Sequence, residues 1–237
     1  MNKTAIIIPI RSGSKGIPGK NIKLFLGYPL FYWTLQAACK SKAELVVMVT
    51  ESLEYLDMID QVISNHLSEY KNKIMVVKRP CKLAQDHSKT EETIKFVCET
   101  PLFQKITTIN IFLVQATSPL LQPCYLDDGI DELNSGTCDS VISVVDFFRF
   151  FWKESIEKTH ITPVNYHPID RPNRQFAGKM YIENGVFYGC KLEVLKKIEF
   201  ASRIFGNIKP IVLPKETIFE IDDVEDWELI ESMARKA

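Results

Sequence analysis

The sequence predicts a three-layer α/β/α fold on a mostly parallel sheet, and three observations carry that expectation. Short apolar runs ending in polar, turn-rich loops recur along the chain, and segments with helical spacing of apolar residues alternate with them. A composition of 46% apolar and 25% charged residues over 237 positions supplies a core large enough for one such domain. Runs that are apolar throughout, not only at alternate positions, belong to strands buried on both faces of a sheet.

Residues 5–10 form the first apolar run and the expected central strand. Residues 29–40 place Leu30, Trp33, Thr34 and Ala37 on one helical side, and 45–50 is a second buried strand. Between 53 and 67, Leu53, Leu56, Ile59, Ile63 and Leu67 recur three or four apart, so a helix precedes the third strand at 74–78. Residues 90–99 start with Thr90-Glu91-Glu92-Thr93, acidic where a helix dipole favours negative charge. A fourth strand at 109–114, a helix at 125–134 closed near Gly136 and a fifth strand at 140–145 continue the alternation. From 147 to 174 the rhythm breaks: an aromatic run at 147–152 precedes a loop holding Pro163, Pro168 and Pro172, so a segment is inserted here. Strands at 183–190 and 208–213 and a helix at 224–235 then complete a single domain over 1–237.

Twenty-nine basic residues against thirty acidic ones leave a formal charge of −1, without the broad positive field that holds proteins on nucleic acid or anionic membrane. No apolar run approaches the roughly 18 residues that span a bilayer. The first eleven residues have too short an apolar part, and no small-residue cleavage pattern, for a signal peptide. Cys39, Cys81, Cys98, Cys124, Cys138 and Cys190 are scattered, with no CxxC pair, which suggests plain thiols in a reduced, cytoplasmic protein. His66, His87, His160 and His167 form no metal or triad pattern, so a histidine-dependent hydrolase is not expected.

Directly after the first strand, Arg11-Ser12-Gly13-Ser14-Lys15-Gly16-Ile17-Pro18-Gly19-Lys20-Asn21 packs three glycines, three cations and two hydroxyls into eleven residues. Glycines let backbone N–H groups approach phosphate oxygens while Arg and Lys neutralise them, so the segment suits a polyphosphate cradle; a solvated basic loop is the alternative. Its spacing matches neither GxxxxGK[ST] nor GxGxxG. Near the end of the chain, Glu220 and Asp222 lie two apart and point to one side of an extended segment, as two hard oxygen donors for Mg²⁺ should. Asp223, Glu225 and Asp226 equally suit a helix start. Gln115-Ala116-Thr117-Ser118-Pro119 and Glu183-Asn184-Gly185 lie where loops form the ligand crevice of an open α/β sheet, and Asp86-His87-Ser88 adds a polar cluster after the third strand. Arg171, Arg174 and Gln175 offer groups for a carboxylate, or simply a charged surface.

These segments together resemble the CMP-sialic acid synthetases, the acylneuraminate cytidylyltransferases. The resemblance runs through residues 8–21, through Arg79-Pro80-Cys81-Lys82-Leu83-Ala84-Gln85-Asp86 (RPxxLAxD), Gln115 to Leu120 (QxTSPL), Arg174-Gln175 with Glu183-Asn184-Gly185 (RQ…ENG), and Glu220-Ile221-Asp222 on the metal-binding DxD. It implies a Rossmann-like fold of the nucleotide-diphospho-sugar transferase type. It also implies transfer of CMP from CTP to the anomeric hydroxyl of a nonulosonic acid, with Mg²⁺, in a homodimer whose segment at about 147–182 reaches the neighbour's site. By the same resemblance, Arg11, Ser14, Lys15 and Lys20 hold the triphosphate; Asn21, Arg79 and Thr90 contact the cytidine; Gln115, Arg174 and Gln175 position the sugar acid; and Asp222 and Glu220 hold the metal. Arg11, Lys15 and Asp222 would take part in the transfer itself. Glu220 stands where the family usually has Asp, and Ile182 where some members carry arginine. Activation of 3-deoxy-octulosonic acid, use of another nucleotide and sugar phosphate, and nucleotide binding without catalysis are the competing functions.

Overall fold

The structure, a computed structural model, describes residues 3–107, 109–176 and 178–235. β1 (Thr4–Pro9) is buried from Thr4 to Ile8, and a tight hairpin of β2 (Leu24–Phe25) and β3 (Tyr28–Pro29) leads into α1 (Leu30–Lys40). β4 (Leu45–Thr50) is buried throughout and is followed by α2 (Leu53–His66), whose cap Ser52 accepts the Tyr55 N–H. β5 (Ile74–Lys78), α3 (Thr90–Glu99), α4 (Pro101–Gln104), β6 (Asn110–Val114) and α5 (Pro123–Asn134) follow. β7 (Ser140–Asp146) precedes an arm carrying β8 (Trp152–Glu154) and β9 (Ile161–Pro163). β10 (Tyr181–Lys191), α6 (Leu192–Lys197), β11 (Ile208–Leu213) and α7 (Val224–Ala234) end the chain's elements.

Seven strands form one sheet in the order β11-β7-β10-β6-β1-β4-β5. Every neighbouring pair is parallel except those of β10, which runs antiparallel to both β6 and β7. The middle strand is therefore β6, not the first strand as its apolar run suggested. The chain lays β4 and β5 on one side of β1, then crosses back to place β6 on the other, and β10, β7 and β11 extend the sheet beyond β6. Adjacent strands leaving β1 in opposite directions create a switch point, and the crevice outside their carboxyl ends is where such sheets bind ligands.

The period-two geometry of β1 divides the core. Ile6 and Ile8 face a cluster with Phe31 and Leu35 of α1, Ile59 and Ile63 of α2, and Leu126 and Ile130 of α5. Ala5 and Ile7 face the opposite cluster, with Ile94 and Val97 of α3, Phe103 of α4 and Leu195 of α6. Each fully buried Ile or Leu contributes on the order of 1.5–3 kcal/mol through burial, so these two layers fix the sheet on which the loops stand. A third, smaller cluster lies under the loops: Ile17, Phe25, Leu30, Ile221, Trp227 and Ile230. It joins the loop after β1 to the segment before α7 across more than two hundred residues of chain.

The elements that the sequence did not announce are short: β2, β3, β8, β9, α4 and α6. In the arm, Trp152 pairs with Pro163 and Glu154 with Ile161, Phe150 lies 4.4 Å from Tyr166 by ring centroids, and the Arg171 guanidinium stands 4.4 Å over the Phe150 ring. Trp152, Ile156, Ile161, Val164, Ile169 and Phe176 are exposed there. Among the described residues no helix is long and apolar enough to cross a membrane.

Ile221 has no exposed surface and sits between the two acidic candidates. Ile221→Ala is expected to lower unfolding stability by about 3 kcal/mol, from lost burial plus the cavity left behind. Denaturant titration checks this through a lower midpoint at unchanged slope.

Candidate active site

A cleft of about 540 Å³ opens at the carboxyl ends of β1, β4, β5 and β6. The loop after β1 supplies one wall with Arg11, Ser14, Lys15, Gly16, Lys20 and Asn21, and Asn21 holds that loop closed by donating its side-chain N–H to the Arg11 carbonyl at 2.9 Å. Buried Ile17 pins the loop's middle into the small cluster beneath. Gly16 approaches the acidic segment so closely that a Cβ there would lie 2.1 Å from the Asp222 carbonyl oxygen, a backbone atom that has no room to give. Lys20 completes the joint: its Nζ donates to the Ile221 carbonyl at 2.5 Å and to the Asp222 carboxylate at 3.1 Å, with only 12% of the side chain exposed. Lys20 thus faces the cleft and also ties its two charged borders together.

Arg79, at the end of β5, is 6% exposed and forms the floor. Its Nη1 donates to Thr93 Oγ1 at 3.0 Å, and its Nη2 donates to the Ile10 carbonyl and to Glu51 Oε2, both at 3.2 Å. Glu51 in turn accepts the Ser12 N–H at 2.7 Å and the Ser12 hydroxyl at 3.0 Å. Burial pushes the Glu51 carboxyl up, but the bonds from Ser12 and the charge of Arg79 outweigh it and hold the group below its ordinary range. Removing one member of such a buried pair typically costs about 3–5 kcal/mol, because the other charge is left without a partner. Sequence reasoning misses Glu51. Its only sign is a carboxylate directly after a buried strand beside the first, at the end where the crevice forms.

The opposite wall comes from the segment between β5 and α3 and from the start of α3: Leu83, Gln85, Asp86, Ser88, Lys89, Thr90 and Thr93 line it. The Asp86 carboxylate bridges Arg11 at 2.8 Å and Lys15 at 2.5 Å. Thr90 opens α3, which has no side-chain cap from Lys89 and whose first turn borders the cleft through Thr90 and Thr93. Gln115 follows β6, and its backbone N–H donates to the Val186 carbonyl at 3.0 Å within an irregular stretch of β10. There Gly185 adopts φ +70°, and a Cβ would collide with the Glu220 carboxylate. Gly185, the last residue of the Glu183-Asn184-Gly185 motif, therefore leaves the space that the Glu220 side chain occupies beside the cleft.

Glu220 and Asp222 both border the cleft, and both also face a neighbouring depression with Glu183 and Asp226. Burial first and Asp222 next hold the Glu220 carboxyl above its usual range, with Lys20 pulling the other way. A bound cation would favour the ionised form. Among the described residues no group of three or more His, Cys, Asp or Glu side chains is arranged to hold a metal by itself. That donor set fits Mg²⁺, which is commonly held by one or two carboxylates and completes its shell with water and phosphate oxygens. Asp223 and Asp226 are the helix start: Asp223 Oδ1 accepts the Asp226 N–H at 2.9 Å, and Asp226 Oδ2 accepts the Asp223 and Asp222 N–H groups.

Ten of the residues singled out from sequence thus line one cleft: Arg11, Ser14, Lys15, Lys20, Asn21, Arg79, Thr90, Gln115, Glu220 and Asp222. Arg174 and Gln175 do not. They lie in an exposed turn, Arg174–Phe176, at the base of the arm and outside the cleft of their own chain.

Residues 5–168 match the family model described as cytidylyltransferase. The chain is 32% identical over 230 residues to N-acylneuraminate cytidylyltransferase A of Danio rerio, covering 95% of this chain and 49% of that protein. It is 23% identical over 231 residues to a pseudaminic acid cytidylyltransferase of Campylobacter jejuni, covering 95% of this chain and 94% of the relative. The chain spans about half the length of the first relatives it matches. Among solved structures, a CMP:2-keto-3-deoxy-manno-octonic acid synthetase complexed with CTP aligns over all of both chains at 14% identity with a TM-score of 0.68. A 4-diphosphocytidyl-2C-methyl-D-erythritol synthase from Anaerococcus prevotii aligns over 99% of this chain and 96% of its own at 14% identity, with a TM-score of 0.69. Those two likenesses establish the Rossmann-like, three-layer fold. With the loop after β1, the RPxxLAxD wall and the QxTSPL turn all meeting at one crevice, and with the family match running from β1 into the arm, the chain belongs to the cytidylyltransferase family.

Proposed function

We propose that the chain transfers CMP from CTP to the anomeric hydroxyl of a nonulosonic, sialic-type acid, releasing pyrophosphate. The observation that carries this function is the convergence of Arg11, Lys15, Lys20 and Arg79 with Glu220 and Asp222 on a single cleft at the sheet's switch point. Relatives named for N-acylneuraminate and pseudaminic acid support the acceptor class.

In this mechanism Arg11, Ser14, Lys15 and Lys20 bind the triphosphate, and Asn21, Arg79 and Thr90 border the nucleoside. Gln115 stands on the acceptor side. The acceptor oxygen bonds to the α-phosphorus as its hydroxyl gives up a proton to solvent water, and the bond from that phosphorus to the bridging oxygen breaks, releasing pyrophosphate. No covalent nucleophile on the protein is needed, because positioning and charge neutralisation carry the step. Mg²⁺ held by Asp222, with Glu220 beside it, would neutralise phosphate charge during transfer. Arg11, Lys15 and Lys20 offset charge on the leaving pyrophosphate, and their placement on one anchored loop limits reorganisation at the moment of transfer.

The arm supplies the rest of the acceptor site from a second copy of this chain in a homodimer. Its exposed Trp152, Ile156, Ile161, Val164, Ile169 and Phe176 support that reading, since an apolar surface of this kind marks an interface. Arg174 and Gln175, outside their own cleft, then reach the partner's. The setting is a reducing, cytoplasmic one: all six cysteines are free, and Cys39, Cys98, Cys138 and Cys190 are buried.

Three outcomes are expected. CTP should yield pyrophosphate in the presence of Mg²⁺ and at least one acid from a panel of sialic, legionaminic, pseudaminic and 3-deoxy-octulosonic acids, and UTP, GTP and ATP should not; no release with any acid rejects the function. Lys15→Ala should lower turnover by about 10²–10³-fold, as loss of a fixed cation facing developing charge does, and near-normal turnover removes Lys15 from the mechanism. Mixing inactive Lys15→Ala with inactive Arg174→Ala chains and allowing subunit exchange should restore about a quarter of wild-type activity, because half the dimers then hold one intact composite cleft. Absence of recovery would show that each cleft is built from one chain.

A further inference from the structure

Asp86 has no part in the transfer chemistry above, yet it lies between two of the cleft's cations. Its Oδ1 lies 2.8 Å from Arg11 Nη1 and its Oδ2 lies 2.5 Å from Lys15 Nζ, so one carboxylate spans both cations of the cradle. Two oxygens on one centre, each reaching a different cation, is the arrangement a phosphate group takes up with the same side chains. Hydrogen bonds from Lys15 and Arg11, reinforced by their charges, hold the Asp86 carboxyl below the usual carboxylate range, so it is an anion at every pH near neutrality.

The contact is also made to part. Asp86 is 48% exposed and Lys15 79%, so water and ions compete for both, and exposed pairs of this kind are weak. The wall that carries Asp86 has separate support. Ser88 Oγ donates to the Lys82 carbonyl at 2.7 Å, Gln85 Nε2 to the Cys81 carbonyl at 3.0 Å, and the Ser88 N–H to the Gln85 carbonyl at 3.0 Å. None of these bonds uses the Asp86 carboxylate, so the wall keeps its form when the ion pairs open. Arg11 and Lys15 have no other carboxylate partner among the described residues.

We propose that Asp86 is a phosphate-competing carboxylate, which yields Arg11 and Lys15 when a nucleotide binds and reclaims them as pyrophosphate leaves. The inference rests on nucleotidyl transfer in this cleft and names a residue that sets the affinity for its inorganic product. Asp86 acts through Arg11 and Lys15 and touches no reacting atom, so it is a positioning residue. Without it the cradle would hold pyrophosphate longer.

Calorimetric binding of inorganic pyrophosphate to the full chain, with no nucleotide or sugar acid present, tests this directly. Asp86→Asn keeps the shape and removes the charge, and is expected to tighten pyrophosphate binding roughly fivefold at low salt, the scale set by two exposed ion pairs. The gain should shrink at about 0.5 M salt, where surface charges are screened. Asp86→Glu, which keeps the charge, should bind as weakly as wild type, and the unfolding midpoints of all three proteins should nearly coincide. In turnover, Asp86→Asn should be inhibited by added pyrophosphate at correspondingly lower concentration, with the KM for the sugar acid unchanged. Unchanged or weaker pyrophosphate binding by folded Asp86→Asn overturns the proposal, as does an equal tightening in Asp86→Glu or no binding to any of the three. Failure of wild type to release pyrophosphate from CTP with any sugar acid instead overturns the transfer reaction, while the binding comparison still judges Asp86.

Discussion

The site depends on one joint, between the loop after β1 and the segment before α7. Residues 17 and 221 share a buried apolar cluster, Gly16 abuts the Asp222 backbone, and Lys20 donates to the Ile221 carbonyl and the Asp222 carboxylate. Apolar burial holds the two segments together from below while the cation spans them from above. Opposite charges that would be worth little on a free surface are thereby kept within a few ångströms of each other without ordering long side chains from solvent. Any ligand that needs cations on one side and hard oxygens on the other meets a site already assembled, which is the condition for electrostatic stabilisation without reorganisation.

The sheet provides the second constraint. Because β4 and β6 leave β1 on opposite sides, the loops after β1, β4, β5 and β6 open around one crevice, and the Arg79–Glu51 pair cross-links three of them. A buried pair of this kind adds little net stability beyond what apolar packing would provide, but it specifies one arrangement, since separating the charges inside the protein is costly. The near-zero total charge of the chain therefore conceals a strongly polarised cleft. Asp86 extends the same logic: a third, exposed carboxylate shares the cations with whatever anion the cleft receives.

Much of this architecture is legible in the amino-acid sequence. Strands at 45–50, 74–78 and 208–213 and the helix at 90–99 coincide with β4, β5, β11 and α3: the fully buried β4 reads as an unbroken apolar run, the edge strand β11 as a shorter apolar stretch, and the amphipathic helix repeats every three to four residues. The hairpin at 24–29 and the pair in the arm are not legible, since two- and three-residue strands carry no periodicity. Arg79 stands out through its motif, but its partner Glu51 does not, because nothing local marks a carboxylate whose partners lie 28 and 39 residues away.

The sequence by itself determined the fold class, the cradle loop, the acidic pair and the family, since each is written in contiguous residues whose types and spacing have direct chemical meaning. Only the tertiary structure decided that β6 and not β1 is the middle strand, that Lys20 and Gly16 weld the loop to the acidic segment, that Asp86 bridges Arg11 and Lys15, and that Arg174 and Gln175 stand outside their own cleft. Those facts are distances between residues far apart in the chain. They follow from the way two apolar layers close on the sheet, and no local pattern encodes them.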